Sequence, residues 1–119
     1  MTNVIVIGGR LTANAELKHG TGGFIVCNFN LANNRKKPSG EETTFINVSI
    51  YGKYAEVMHP YLVKGVVVDV VGELIQKDWQ VGDKNIPIHK ISAKEIDFRI
   101  PKNKQNNEQN SPQGEEIDE

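Results

Sequence analysis

Chemistry-bearing residues are scarce in this chain of 119 residues, which holds one cysteine and three histidines. A lone Cys27 closes no intramolecular disulfide, and no CxxC or His-rich cluster offers metal-ligand spacing. Disulfide scaffolds and zinc modules drop out, and no metal or cofactor is expected. GTGG, residues 20–23, is too short for a phosphate-binding P-loop and lacks its lysine. His19 lies in a Gly-rich turn, His59 precedes Pro60, and His89 sits beside Lys90 in a strand. None has a Ser, Cys or carboxylate arrangement around it, so no enzyme is expected. No apolar run approaches the roughly 20 residues that span a bilayer. The N-terminus lacks the basic region and long apolar run of a secretory signal. The expectation is a soluble, intracellular chain.

Charge of one sign is also missing, since the net is −1, but the distribution is uneven. Residues 1–100 carry 12 Lys/Arg against 10 Asp/Glu, a net of +2; residues 101–119 carry 2 against 5, a net of −3. A mildly basic body neither requires nor excludes nucleic acid, because a local patch matters more than the total.

The body reads as short strands around one helix. NVIVIG, residues 3–8, is a short apolar run expected to be a buried strand that Gly8-Gly9 breaks or bends. KHGTGG, residues 18–23, is turn chemistry. Residues 24–32 form a second strand, with Ile25, Cys27, Phe29 and Leu31 inward and Val26, Asn28 and Asn30 outward. Cys27 is thus a small buried hydrophobe rather than a reactive thiol. NNRKKPSGEE, residues 33–42, reads as a polar loop. Residues 43–53, TTFINVSIYGK, form a third strand. Tyr54, Val57, Met58, Tyr61 and Leu62 then recur at helical spacing. Pro60 breaks that period, so the helix covers about 53–59, followed by a kink or fresh turn stopped by Gly65.

Residues 66–79 are a fourth strand, bent at Gly72, and VGDK, residues 81–84, is a hairpin turn. Residues 86–100 supply a fifth strand whose alternation slips twice, as bulges or a short break would make it. Three strands, a helix and two strands match an all-β, five-stranded Greek-key barrel of the OB type. Residues 1–100 form this domain. From Pro101 the chain holds too few apolar side chains to pack, so 101–119 is expected to be a disordered acidic tail.

Aromatics make up only 7% of the chain, and the third strand places two of them oddly. Thr44, Ile46, Val48 and Ile50 share one face; Thr43, Phe45, Asn47, Ser49 and Tyr51 share the other. Phe45 and Tyr51 therefore stand among Asn, Ser and Thr. Trp79, on an unbroken fourth strand, shares the polar face of Asp69, Glu73 and Lys77. Sites for single-stranded nucleic acid pair exposed rings, on which bases stack, with a cationic groove. Arg35, Lys36, Lys37, Lys53 and Lys77 lie near these rings in sequence and could follow a phosphate backbone. Such rings can equally be covered by a loop, the helix or a subunit.

The ordered set NVIVIGGRLTANAELK, FNLANNR, FINVSIYGKYAEVMHPYLVKG and VVGELIQKDW resembles the single-stranded DNA-binding (SSB) proteins of bacteria and phages. The resemblance covers about residues 3–100. It implies an OB-fold, usually a homotetramer, that binds and protects single-stranded DNA without sequence preference in replication, recombination and repair. It also implies a cytoplasmic, nucleoid-associated location. By resemblance, Phe45, Tyr51 and Trp79 occupy base-stacking positions, and Arg10 and Arg35 match basic positions. The family often carries a further stacking ring after the second strand, where this chain reads NNRKK, so binding should depend more on salt.

Family members typically end in an acidic tip closed by Ile-Pro-Phe, which docks on replication and repair partners. Here Glu115, Glu116, Ile117, Asp118 and Glu119 keep the acid and one apolar residue, without the closing aromatic. The opposite charges of tail and body also suggest competition with DNA for the basic groove. The alternative reading is an SSB-like OB-fold accessory module with weak DNA binding, since the fold alone decides no function.

Overall fold

The computed structural model describes residues 1–99, so the acidic tail and the partner contacts expected of it lie outside the described residues. Six strands form one sheet: β1 (Ile5–Leu11), β2 (Glu16–His19), β3 (Ile25–Lys37), β4 (Gly40–Tyr51), β5 (Val67–Val81) and β6 (Lys84–Phe98). Their order is β1-β5-β6-β4-β3-β2, and a further β1–β3 pairing closes the sheet on itself. β1 and β2 both pair with β3, at Ala32/Leu31 and at residues 25–28 respectively. They act as two halves of one broken stave, so the barrel has the five staves expected of an OB-fold. The link between the halves, residues 12–15, is pinned by Thr12 N–H to Asn30 O (3.1 Å) and Ala15 N–H to Leu62 O (2.9 Å).

Closure buries Leu11, Cys27, Phe29, Leu31, Val48, Ile50, Val68, Val70, Ile91 and Ile96. Helix α1 (Gly52–Met58) and a 3-10 turn (His59–Tyr61) follow β4, as the interrupted period and Pro60 required. Gly52 turns the chain from β4 into the helix at φ 70°, a conformation only glycine adopts freely. The face that plugs the barrel is Tyr54, Ala55, Met58 and Leu62; Val57 and Tyr61 of the expected stripe point outward. Tyr54 Oη accepts the Ile96 amide at 2.8 Å and ties the plug to β6.

Several expectations change. β1 is not fully buried: Ile5 and Ile7 pack on the core while Val4 and Val6 are exposed. The KHGTGG turn is shorter than expected, because Lys18 and His19 belong to β2. The supposed loop at 33–42 is mostly strand: β3 runs to Lys37 and β4 starts at Gly40, leaving Pro38-Ser39 as the turn. This hairpin extends past the barrel, so Thr44 is exposed although its parity is inward. One of the two slips in β6 is a bulge. Val71 and Gly72 of β5 face Glu95 and Ala93, leaving Lys94 unopposed. The other slip, at Ile88, lies where β5 and β6 leave the barrel and the covered face changes.

Candidate nucleic-acid interface

Antiparallel partners in register share a face, so the pairings define the outer surface of the barrel. β3 and β4 contribute the couples Val26–Tyr51, Asn28–Ser49, Asn30–Asn47 and Ala32–Phe45. β5 and β6 contribute Ile75–Lys90, Lys77–Ile88 and Trp79–Ile86. The parallel β4–β6 pairing, Ser49 with Ser92, joins the two sets into one face. The β5–β6 arm turns at Gly82 and curls over that face. A groove of about 460 Å³ results, with Trp79, Lys77, Lys90, Asn28, Asn30 and Asn47 among its walls. Phe45 stands in an adjoining hollow that shares Asn30 and Asn47 with the groove. Phe45 is 71% exposed and Trp79 59% exposed. Two uncovered rings thus flank a floor of side-chain amides.

Tyr51 is placed differently. It is half-buried, and its ring lies 6.0 Å from that of Phe24 at a 46° tilt. Phe24 and Tyr51 form a second, smaller aromatic patch at the far end of β4. Ser49, of the same parity as Phe45, is buried and donates to Asn28 Oδ1, so it is part of the floor and not exposed.

The basic candidates separate into groups. Lys77 lies in the groove beside Trp79. Arg35 and Lys37 fall on the opposite face of the β3–β4 hairpin from Phe45 and both pair with Glu42. Lys36 is on the Phe45 face, opposite Glu41. Lys53 opens α1, 4.0 Å from Glu56. Arg10 donates Nη1 to Gly65 O at 2.9 Å and lines a separate cleft. In the groove, Lys77 and Lys90 are matched by Asp78 and Glu16.

Phe24, Asn30, Asn47 and Lys90 were not singled out by sequence reasoning. Strand parity reaches Phe24, because it falls in phase with Val26 and Asn28. Lys90 becomes visible only when the arm folds over. Among the described residues no group of three or more His, Cys, Asp or Glu could hold a metal, and no helix is long and apolar enough to cross a membrane. Burial pushes the Cys27 thiol up to about 11, which keeps it neutral and unreactive in the core.

Comparison with known proteins places this geometry. A "Single-stranded DNA-binding protein" of Treponema pallidum is 39% identical over 98 residues, covering 79% of this chain and 56% of that protein. One from Helicobacter pylori is 38% identical over 105 residues, covering 82% and 58%. "Single-stranded DNA-binding protein 1" of Staphylococcus aureus is 34% identical over 113 residues, covering 92% and 72%. The chain thus spans little more than half the length of the first two. A solved structure, "Plasmodium falciparum SSB complex with ssDNA", superposes with a TM-score of 0.77 at 24% identity, covering 84% of this chain and 96% of that one, which shows the shared fold. The single-strand binding protein family model matches residues 1–99, the whole of the barrel and its arms, and this chain belongs to that family.

Proposed function

We propose that the chain binds single-stranded DNA without sequence preference and shields it during replication, recombination and repair. The observation that carries this reading is the pair of uncovered rings, Phe45 and Trp79, on one polar face of a barrel of this family. Unstacked bases lie on the rings; stacking contributes about 1–3 kcal/mol per base and tolerates every base. Asn30 and Asn47 offer donors and acceptors that any base edge can use by amide rotation. Tyr51 with Phe24 extends the track, and Lys36, Lys53 and Lys77 contact phosphate. Arg35 and Lys37 contribute less, because Glu42 holds them. The mechanism is capture, with no covalent chemistry.

The working unit is a homotetramer in the cytoplasm, associated with the nucleoid, and residues 1–100 are its DNA-binding domain. Among the described residues the β1 edge at residues 5–7 pairs only with β5, and exposed Val4 and Val6 beside it suit a subunit contact. Titrating Trp79 fluorescence with oligo-dT at several salt concentrations tests the function, with a duplex of equal length as control. Saturable quenching by the single strand, weakened by salt and weak with duplex, is the expected outcome. No binding of oligo-dT by gel shift on the same samples would leave the accessory-module reading.

A further inference from the structure

We infer that Arg10 and Arg99 form a phosphate subsite in a cleft on the far side of Phe45 from the Trp79 groove. The inference rests on the reading of the chain as a single-strand binder. One transverse row of the barrel carries it. Phe45 on β4 pairs with Ala32 on β3, Ala32 with Arg10 on β1, and Arg10 with Val67 on β5. The Arg99 amide donates to Val67 O at 2.9 Å, so Arg99, just after β6, completes the row. The inward neighbours Leu11, Leu31 and Val68 are buried, so this row points outward. Neighbouring strands lie about 4.8 Å apart, which puts Phe45 about 10 Å from Arg10 along the backbone, and Arg10 about 10 Å from Arg99.

The cleft has a volume of about 310 Å³ and is lined by Gly8, Gly9, Arg10, Asn33, Asn34 and Arg99, with Ala32 and Val67 at its floor. Each guanidinium keeps N–H groups beyond its one internal bond, Arg10 to Gly65 O and Arg99 Nε to Asp69 Oδ2. Asn34 Oδ1 accepts from Thr43 at 2.7 Å, which leaves its amide nitrogen as a donor. Gly8, on the outward face opposite Asp69, adds no side chain to this wall. Guanidinium donors with the Asn34 amide beside them suit an anion.

Charge decides between the two hollows. The Trp79 groove sets Lys77 and Lys90 beside Glu16 and Asp78, two against two, whereas Arg10 and Arg99 of the arginine cleft have one carboxylate beside them, that of Asp69 across from Gly8. The nearest acid, Asp69, is held by Arg99 Nε. The base-stacking groove is therefore close to neutral, whereas two arginines against the one carboxylate of Asp69 leave a net positive charge beyond Phe45. A strand whose bases lie between Trp79 and Phe45 continues over Ala32 and sets a phosphate between the two arginines.

The test is the salt dependence of oligo-dT binding by the full chain, wild type against Arg99→Gln. Each neutralised phosphate contributes about 0.7 to the log–log slope for single strands. Arg99→Gln should flatten the slope by about 0.7 and leave the maximal Trp79 quenching unchanged. Arg99→Lys should restore the slope, and thermal unfolding of all three proteins controls for lost structure. Asp69→Asn, which releases Arg99, should tighten binding at low salt. Saturable quenching with an unchanged slope in Arg99→Gln would overturn the subsite and leave the proposed function standing. No binding by the wild type would overturn both.

Discussion

Asn3 and Leu74 are joined by two hydrogen bonds: Asn3 Nδ2 donates to the Leu74 carbonyl at 2.8 Å, and the Leu74 amide donates to Asn3 Oδ1 at 2.9 Å. The β1–β5 ladder ends at Ile5 opposite Gly72, so the Asn3 side chain replaces the next backbone pair. It fastens the base of the arm that carries Trp79. Asn3→Ala should cost about 1–2 kcal/mol, the net worth of two such bonds. Hydrogen exchange at the Leu74 amide should quicken more than exchange in the barrel core.

The two kinds of ring should separate in mutants. Phe45 is largely exposed and bonded to nothing inside the barrel, so Phe45→Ala should leave stability within about 0.5 kcal/mol. Its loss should appear as about 1–3 kcal/mol in single-strand affinity, measured by oligonucleotide titration. Tyr51→Ala should lower both stability and affinity, because Tyr51 also packs on Phe24. Thermal unfolding beside the titration distinguishes the two patterns.

Cys27 predicts an alkaline window of instability. Its thiol moves from an ordinary 9.0 to about 11 by burial. Below pH 9 the thiol is neutral whether folded or unfolded, and the contribution is complete. Between pH 9 and 11 only the unfolded chain releases the proton, so stability falls as pH rises, by about 2–3 kcal/mol in all. Urea unfolding across that range should show the slope, and Cys27→Ala should flatten it. In the native state at pH 8 the thiol should resist alkylation.

Gly72 sits opposite the β6 bulge, and a Cβ there would lie 2.2 Å from Ser92 O and 2.9 Å from Ala93 Cα. Both are backbone atoms and cannot swing aside. Gly72→Ala should destabilise by about 1–3 kcal/mol or more, as overpacking does. An unchanged melting temperature would mean that the bulge relaxes freely.

The barrel was legible because its signals are local. Alternation in 24–32 and 43–51 assigned faces, Gly65 and Pro60 bounded the helix region, and VGDK marked the arm turn. The hairpin at 33–42 was not legible: NNRKKPSGEE is polar on both faces, and no apolar alternation exists where a strand leaves the core. β2 escaped for the same reason, since only Leu17 of its four residues is even partly buried.

The sequence by itself determined the order of strands and helix along the chain, the inward sets Ile25–Leu31 and Ile46–Ile50, the inertness of Cys27 and the outward placement of Phe45, because period and turn chemistry act within a few residues. Only the tertiary structure decided which outward residues meet. Register across the closed sheet aligned Phe45, Ala32, Arg10, Val67 and Arg99, residues that lie far apart in the chain. The same closure folded Trp79 and Lys90 over Asn47, while the register of the β3–β4 hairpin set Glu42 against Arg35 and Lys37. Pairing across the barrel is a long-range condition, satisfied only once the barrel shuts, and with the hairpin register it sorted the cations into held and available.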